Sequence, residues 1–261
     1  MPPYTTEQEV VLITAGANGI GRCMAETFLA QGYLVHVCDI SSVAIEEFLL
    51  ANPKASASLA DVSCVEDVDK MFAELTQRYG RLDILINNAG VAGPTAALED
   101  IAPEEWNHCI NVDLNGPFYC TRKATPLLKK NGGSVINMSS NAALFGFPLR
   151  SAYSAAKWAM IGLTKTWAME LGPYQVRVNA ICPCSVNGPR IENVINADAK
   201  ERGVSSDEIR KLYQSQSSMR LFVDPEDIAA MALFLCSPAG AKISGQSIAV
   251  DGHTENLSTN F

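Results

Sequence analysis

Tyr153 and Lys157 stand four residues apart in a stretch whose apolar spacing predicts a helix over 153–171, so they share one helix face. A free phenol has a pKa of about 10 and is a poor base at neutral pH. A neighbouring ammonium favours the phenolate and makes such a tyrosine usable as an acid or base. Ser140 follows a predicted strand and precedes the tyrosine by 13 residues. Its hydroxyl could hydrogen-bond a carbonyl or alkoxide oxygen. Asn111 lies in a predicted long helix over 103–130, which Pro117 must disturb because it lacks an N–H. A bend near Asn111 could hold a water linking the lysine to solvent. A lone Tyr-x-x-x-Lys pair is more often a plain exposed helix face, so its meaning depends on what accompanies it.

The accompanying motifs lie after predicted strands. Val10–Thr14 is followed by Thr14-Ala15-Gly16-Ala17-Asn18-Gly19-Ile20-Gly21 and then a helix. Gly16, Asn18, Gly19 and Ile20 would form a turn whose backbone approaches a pyrophosphate at a helix N-terminus, where free N–H groups and the positive dipole end favour anions. Asp39 ends the second strand, 18 residues after Gly21, with Ile40 beside it. A carboxylate there can accept from both ribose hydroxyls of NAD and would repel the 2′-phosphate of NADP, and no Arg or Lys follows in Ile40–Val43. The bland reading makes Asp39 a helix cap. Asp61 and Val62 follow the third strand, where an adenine edge would lie, although capping explains Asp61 nearly as well. Asn87-Asn88-Ala89-Gly90 follows the fourth strand, and Asn88, Ala89 and Gly90 suit a surface packed against the adenosine ribose.

The elements that must position these groups alternate regularly. Strands are predicted at 10–14, 33–38, 55–60, 82–86, 134–138, 175–181 and 246–250, and helices at 19–30, 42–50, 65–79, 103–130, 153–171 and 225–235. Continuously apolar strands alternating with helices predict an α/β fold: one doubly wound, Rossmann-type parallel sheet flanked by helices. Residues 1–261 are read as a single dinucleotide-binding catalytic domain, with 183–224 as a substrate lid. Ligands of such sheets bind beyond the carboxyl ends of the strands, where every motif above lies.

Composition narrows the function. The 261 residues are 48% hydrophobic and 18% charged, with 20 Lys+Arg and a net charge of −8. That balance predicts a folded globular chain and argues against nucleic-acid binding, which depends on neutralising phosphates. No apolar run is long enough to span a membrane, and Met1–Glu7 lacks a basic region leading into an apolar one, so a cytoplasmic protein is expected. Eight cysteines without a CxxC are read as reduced thiols, and Cys182-Pro183-Cys184 is too tight for ordinary zinc spacing, so no metal is expected.

From Val10 to Gly252 the chain resembles the short-chain dehydrogenase/reductase family. The resemblance rests on Thr14…Gly19-Ile20-Gly21, Asp61, Asn87–Gly90, Asn111-Val112, Ser139-Ser140, Tyr153…Lys157, Arg177–Ala180 and Val250-Asp251-Gly252. It implies a seven-stranded sheet, a nicotinamide cofactor and a dimer or homotetramer. It also implies a tetrad of Asn111, Ser140, Tyr153 and Lys157. Tyr153 would be the acid/base, Ser140 would polarise the substrate oxygen, Lys157 would also hold the nicotinamide ribose, and Asn111 would hold a relay water. Pro183 and Val186 would lie along the nicotinamide.

Three residues depart from the family pattern: Ala15 and Cys184 replace usual glycines, and Gly188 replaces a usual threonine. Main-chain groups near Val186, or the Asn187 side chain, are expected to replace that threonine. Asn141, Arg150, Asn187 and Arg190 are candidate substrate contacts and suggest a small hydroxylated or anionic substrate, a sugar derivative or hydroxy acid. The expectation is an NAD-dependent dehydrogenase acting on a secondary alcohol or carbonyl. The alternatives are an NADPH-dependent ketoreductase of the 3-oxoacyl type and a catalytically silent cofactor-binding protein. Outward apolar residues such as Trp158, Ile161 and Trp167 suit a helix-to-helix subunit interface, to which the tail 249–261 could add.

Overall fold

The computed structural model describes residues 8–254, so the readings of 1–7 and of the tail beyond 254 lie outside the described residues. Strands β1 Val10–Thr14, β2 Leu34–Asp39, β3 Ser56–Leu59, β4 Ile84–Asn87, β5 Gly133–Met138, β6 Val176–Pro183 and β7 Ser247–Val250 form one sheet, ordered β3-β2-β1-β4-β5-β6-β7. Every pairing is parallel. The order reverses between β1 and β4, so their carboxyl ends open the crevice in which such sheets bind ligands.

The sheet is covered on both faces. Side chains alternate along a strand, so Val10 and Leu12 of β1 join one core while Val11 and Ile13 join the other. Helices α3 (Val65–Tyr79), α5 (Gly116–Asn131) and α6 (Ser151–Leu171) close the first core with Phe72, Leu75, Leu128 and Met160. Helices α1 (Gly19–Ala30), α2 (Ser42–Ala51) and α9 (Pro225–Cys236) close the second with Met24, Phe28, Phe48 and Ile228. Between β6 and α9 lie α7 (Pro189–Arg202) and α8 (Ser206–Ser215). They hold together through a small core of their own, including Ile191, Ile195, Ile209, Tyr213 and Phe222.

The predicted 103–130 helix is broken. Helix α4 covers Pro103–Ile110, a π-helical segment covers Asn111–Asn115, and α5 follows. The Gly116 N–H bonds back to the Asn111 carbonyl, five residues earlier. Pro117 has no N–H to give the Asp113 carbonyl, so an α-helical ladder cannot continue through this turn, and a wider turn takes its place. Trp158 is half exposed on α6, as expected of an outward residue, but Trp167 is packed into the first core. Phe118 on α5 and Met169 on α6 are also exposed.

Candidate active site

The turn from β1 to α1 is built as its glycines require. A Cβ at Gly16 would meet Val37 of β2 at 2.6 Å, so only glycine lets this turn lie flat on the sheet. Ala15 adopts φ +47°, the left-handed region that glycine enters freely, which explains why a glycine is usual there and alanine is strained. Asn18 caps α1, its Oδ1 accepting from the Gly19 N–H at 2.8 Å. Gly19 has φ +53° and open space where a side chain would stand. The next N–H groups, of Ile20 and Gly21, are first-turn donors that a helix cannot itself satisfy.

The end of β1 is stapled to the end of β4. The Asn88 and Ala89 N–H groups both donate to Thr14 Oγ1 at 2.9 Å, and Asn88 Nδ2 donates to the Thr14 and Ala15 carbonyls. Asn88 thereby braces the glycine turn. Asp39 also supports that turn, accepting from the Ala17 N–H at 3.4 Å and the Ser41 N–H at 3.1 Å. It remains part-exposed, and Ile40 beside it is 74% exposed. Asp61 Oδ1 accepts from Ser63 N and Oγ, so one of its oxygens serves the local turn. Val62 is buried against the Gly116 backbone. An open helix head, a part-exposed carboxylate at the β2 end and a braced ledge at Asn88–Gly90 together fit a dinucleotide.

On the chemical side, Lys157 is 4% exposed, and its Nζ donates to the Met138 carbonyl of β5 at 3.1 Å. The ammonium lies 5.4 Å from the centre of the Tyr153 ring, one turn away on α6. Ser139 Oγ donates to the Lys157 carbonyl, anchoring α6 to the end of β5. Ser140 Oγ accepts from Ala142 N at 3.1 Å and lies 3.3 Å from Asn141 Oδ1. Both Ser140 and Asn141 are buried, so Asn141 orients the serine hydroxyl.

Asn111 is not beside the lysine. It is exposed, and its Oδ1 accepts from Asn115 Nδ2 at 2.8 Å on the outer face. The π segment instead turns Asp113 inward. Asp113 is fully buried, with Oδ2 3.0 Å from Lys157 Nζ and Oδ1 accepting from the Val91 N–H at 2.6 Å. Sequence reading missed Asp113 by looking for an amide. The usable signal was position, since a residue two beyond Asn111 points to the other side of the helix.

The side facing β6 also departs from expectation. Asn187 Nδ2 donates to Asp224 Oδ1 at 2.7 Å, which turns this amide toward the start of α9. Gly188 has φ +142°, a conformation closed to threonine. Pro183 ends β6 and is buried. The Cys184 thiol is pushed up to about 11, mainly by burial, and stays protonated. Cys182 is likewise pushed to about 11 by burial.

Arg150 is 4% exposed, its guanidinium lying 5.0 Å from the centre of the Tyr153 ring and 5.4 Å from that of Phe147. Its Nη2 donates to the Ala92 carbonyl at 2.6 Å, while Nε has no hydrogen-bond partner among the described residues. Burial pulls its pKa below the usual guanidinium range, and the neighbouring Arg190 charge pulls the same way. Arg190, at the head of α7, donates to the Gly90 carbonyl at 3.2 Å. Other charges of this region satisfy one another, as Arg202 pairs with Asp198 and Arg210 with Glu192.

The family model described as enoyl-(acyl carrier protein) reductase matches residues 14–253. The 3-oxoacyl-(acyl-carrier-protein) reductase of Thermotoga maritima is 32% identical over 251 residues, covering 94% of this chain and 97% of its own. The D-beta-hydroxybutyrate dehydrogenase of Rhizobium meliloti is 33% identical over 252 residues, with 94% and 97% covered. Among solved structures, NAD+-bound xylitol dehydrogenase superposes with a TM-score of 0.89 at 25% identity, covering 93% of this chain and 97% of that one.

Proposed function

The chain belongs to the short-chain dehydrogenase/reductase family, oxidoreductases that use a nicotinamide cofactor, and we propose that it is an NAD-dependent dehydrogenase of a small polar secondary alcohol. The observation that carries this reading is the Tyr153–Lys157 pair, with the lysine head buried and fixed 5.4 Å from the phenol ring. When bound, the nicotinamide supplies the hydride acceptor or donor. In oxidation, Tyr153 takes the hydroxyl proton as the substrate carbon gives up its hydride. In reduction it returns that proton to the carbonyl oxygen. The Ser140 hydrogen, given to Asn141 Oδ1 in this structure, turns to donate to the same oxygen when substrate binds. Lys157 favours the phenolate and holds the nicotinamide ribose.

Asp39 supports NAD over NADP, because a carboxylate at the β2 end accepts from ribose hydroxyls and repels a 2′-phosphate. Gly16, Asn18, Gly19 and Ile20 would hold the pyrophosphate, Ile40, Asp61 and Val62 the adenine, and Asn88, Ala89 and Gly90 the ribose. Pro183 and Val186 would lie along the nicotinamide. The ketoreductase reading has the Thermotoga relative in its favour, and Asp39 stands against its NADPH.

Arg150 and Arg190 support a carboxylate-bearing substrate, a hydroxy acid, as in the name of the Rhizobium relative. Among the described residues no carboxylate pairs with Arg150, and a buried cation is stabilised by an anion that reaches it. The chain would act as one catalytic domain in the cytoplasm, with 183–224 as the lid. The exposed Phe118, Trp158 and Met169 support a homotetramer formed through α5 and α6, which light scattering on the purified protein would test. The deciding experiment is an NAD⁺-reduction screen over hydroxy acids, polyols, sugars and apolar alcohols. Turnover of hydroxy acids is expected, and activity confined to apolar alcohols or steroids would overturn the substrate class.

A further inference from the structure

Asp113 and Lys157 form an ion pair inside the site with side chains that are 0% and 5% exposed. An ammonium has three donors. One goes to the Met138 carbonyl, and Asp113 Oδ2 meets the ammonium at 3.0 Å as an ion-pair partner outside hydrogen-bond geometry. The other Asp113 oxygen is held by the Val91 N–H, just past the Asn88–Gly90 ledge. A Cβ at Gly90 would come within 3.2 Å of this carboxylate, so the ledge is shaped around it. One side chain therefore ties the lysine, the broken helix and the β4 loop together.

We propose that Asp113 is a positioning residue, whose carboxylate clamps Lys157 and offsets part of the ammonium's field on Tyr153. This rests on the reading of Tyr153 as the acid/base. A bare ammonium would stabilise the phenolate fully, whereas a paired one does so less, and the opposing charge lies on the same lysine head. The other groups facing the pair do not supply this balance. Cys109 of α4 is pushed up to about 11, chiefly by burial, and is neutral, as is Cys182 of β6. Arg150 and Arg190 are cationic, and Asp251 faces Cys182.

The test is Asp113→Asn, which keeps the shape and an oxygen for Val91 but removes the charge. The acidic limb of the kcat profile for alcohol oxidation should move down by about one pH unit, with KM for the alcohol within twofold. Asp113→Ser, a second route to the same charge removal should the amide fold poorly, should move the limb the same way. Profiles that superimpose on the wild type would overturn the proposal. A readout independent of activity is the melting temperature. Lys157→Met strands a buried carboxylate and should lower it, and adding Asp113→Asn should restore part of the loss. Additive losses would overturn the clamp. If the wild-type protein turns over no alcohol, the reading of Tyr153 fails separately, and the melting cycle alone decides whether Asp113 holds Lys157.

Discussion

Arg190 Nη1 lies 3.2 Å from the Gly90 carbonyl, a contact that joins residues 100 apart in sequence and bridges from the head of α7 to the ledge at the end of β4. It is a side-chain tie between the helices of 183–224 and the proposed ribose site. An exposed charge-assisted hydrogen bond is worth about 1 kcal/mol, or roughly a fivefold change in an equilibrium. Arg190→Ala should weaken NADH binding by about that factor in a fluorescence titration. If the substrate is anionic, its KM should rise further than that of a neutral alcohol. An unchanged NADH affinity would mean that the bridge does not close over the cofactor.

Tyr153→Phe keeps the ring between Arg150 and Lys157 and removes only the hydroxyl. Turnover should fall by roughly 10²–10⁴, the usual contribution of a positioned acid/base. NADH affinity should stay within a few-fold. Near-wild-type activity in a coupled assay would remove Tyr153 from its role.

Asp39→Ala should cost NAD affinity by about tenfold, the loss of charge-assisted hydrogen bonds to the ribose, and should narrow the preference over NADP. The ratio of kcat/KM for the two cofactors reads this directly. A ratio equal to that of the wild type would assign Asp39 to bracing the turn through Ala17 and Ser41 only.

His36 sits in a buried hydrogen-bonded row whose direction is fixed from one end. Glu74 can only accept, so Ser58 Oγ donates to it and accepts from His36 Nε2, while Nδ1 meets Ser56, which also meets Tyr79. The row ties β2 and β3 to α3. Burial lowers the His36 pKa from 6.5 to about 4, outweighing the opposing pull of the Glu74 charge. The unfolded chain therefore binds a proton below about 6.5 that the native protein refuses until about 4. Stability should be full above that window and fall through it, by about 3 kcal/mol from this group. Urea unfolding at a series of pH values measures the slope, and His36→Gln should remove the His36 contribution.

The elements were legible because their signals are local. Val10–Ile13 is an uninterrupted apolar run, which marks a strand buried on both faces. Gly16 and Gly19 mark a turn that few other residues permit. Tyr153 and Lys157 share a helix face by spacing alone. The errors came where a side chain's direction depends on distant packing. Asn111 has a plausible residue type, but the π segment turns it outward and sends Asp113 in. Asn187 is in the expected place, but Asp224 claims its amide. Trp167 is as apolar as Trp158 and lies on the same helix, and the first core buries one and not the other.

By itself, then, the sequence determined the order of the seven strands, the family, and the residue types that gather at the carboxyl ends of β1, β2, β4 and β5. Those follow from local periodicity and from the geometric demands of glycine and proline. Only the tertiary structure decided that a carboxylate rather than an amide meets Lys157. A missing N–H at Pro117 is visible in one dimension. The turn that relieves it, and the side chain that turn delivers to the lysine, depend on α5 packing against the sheet.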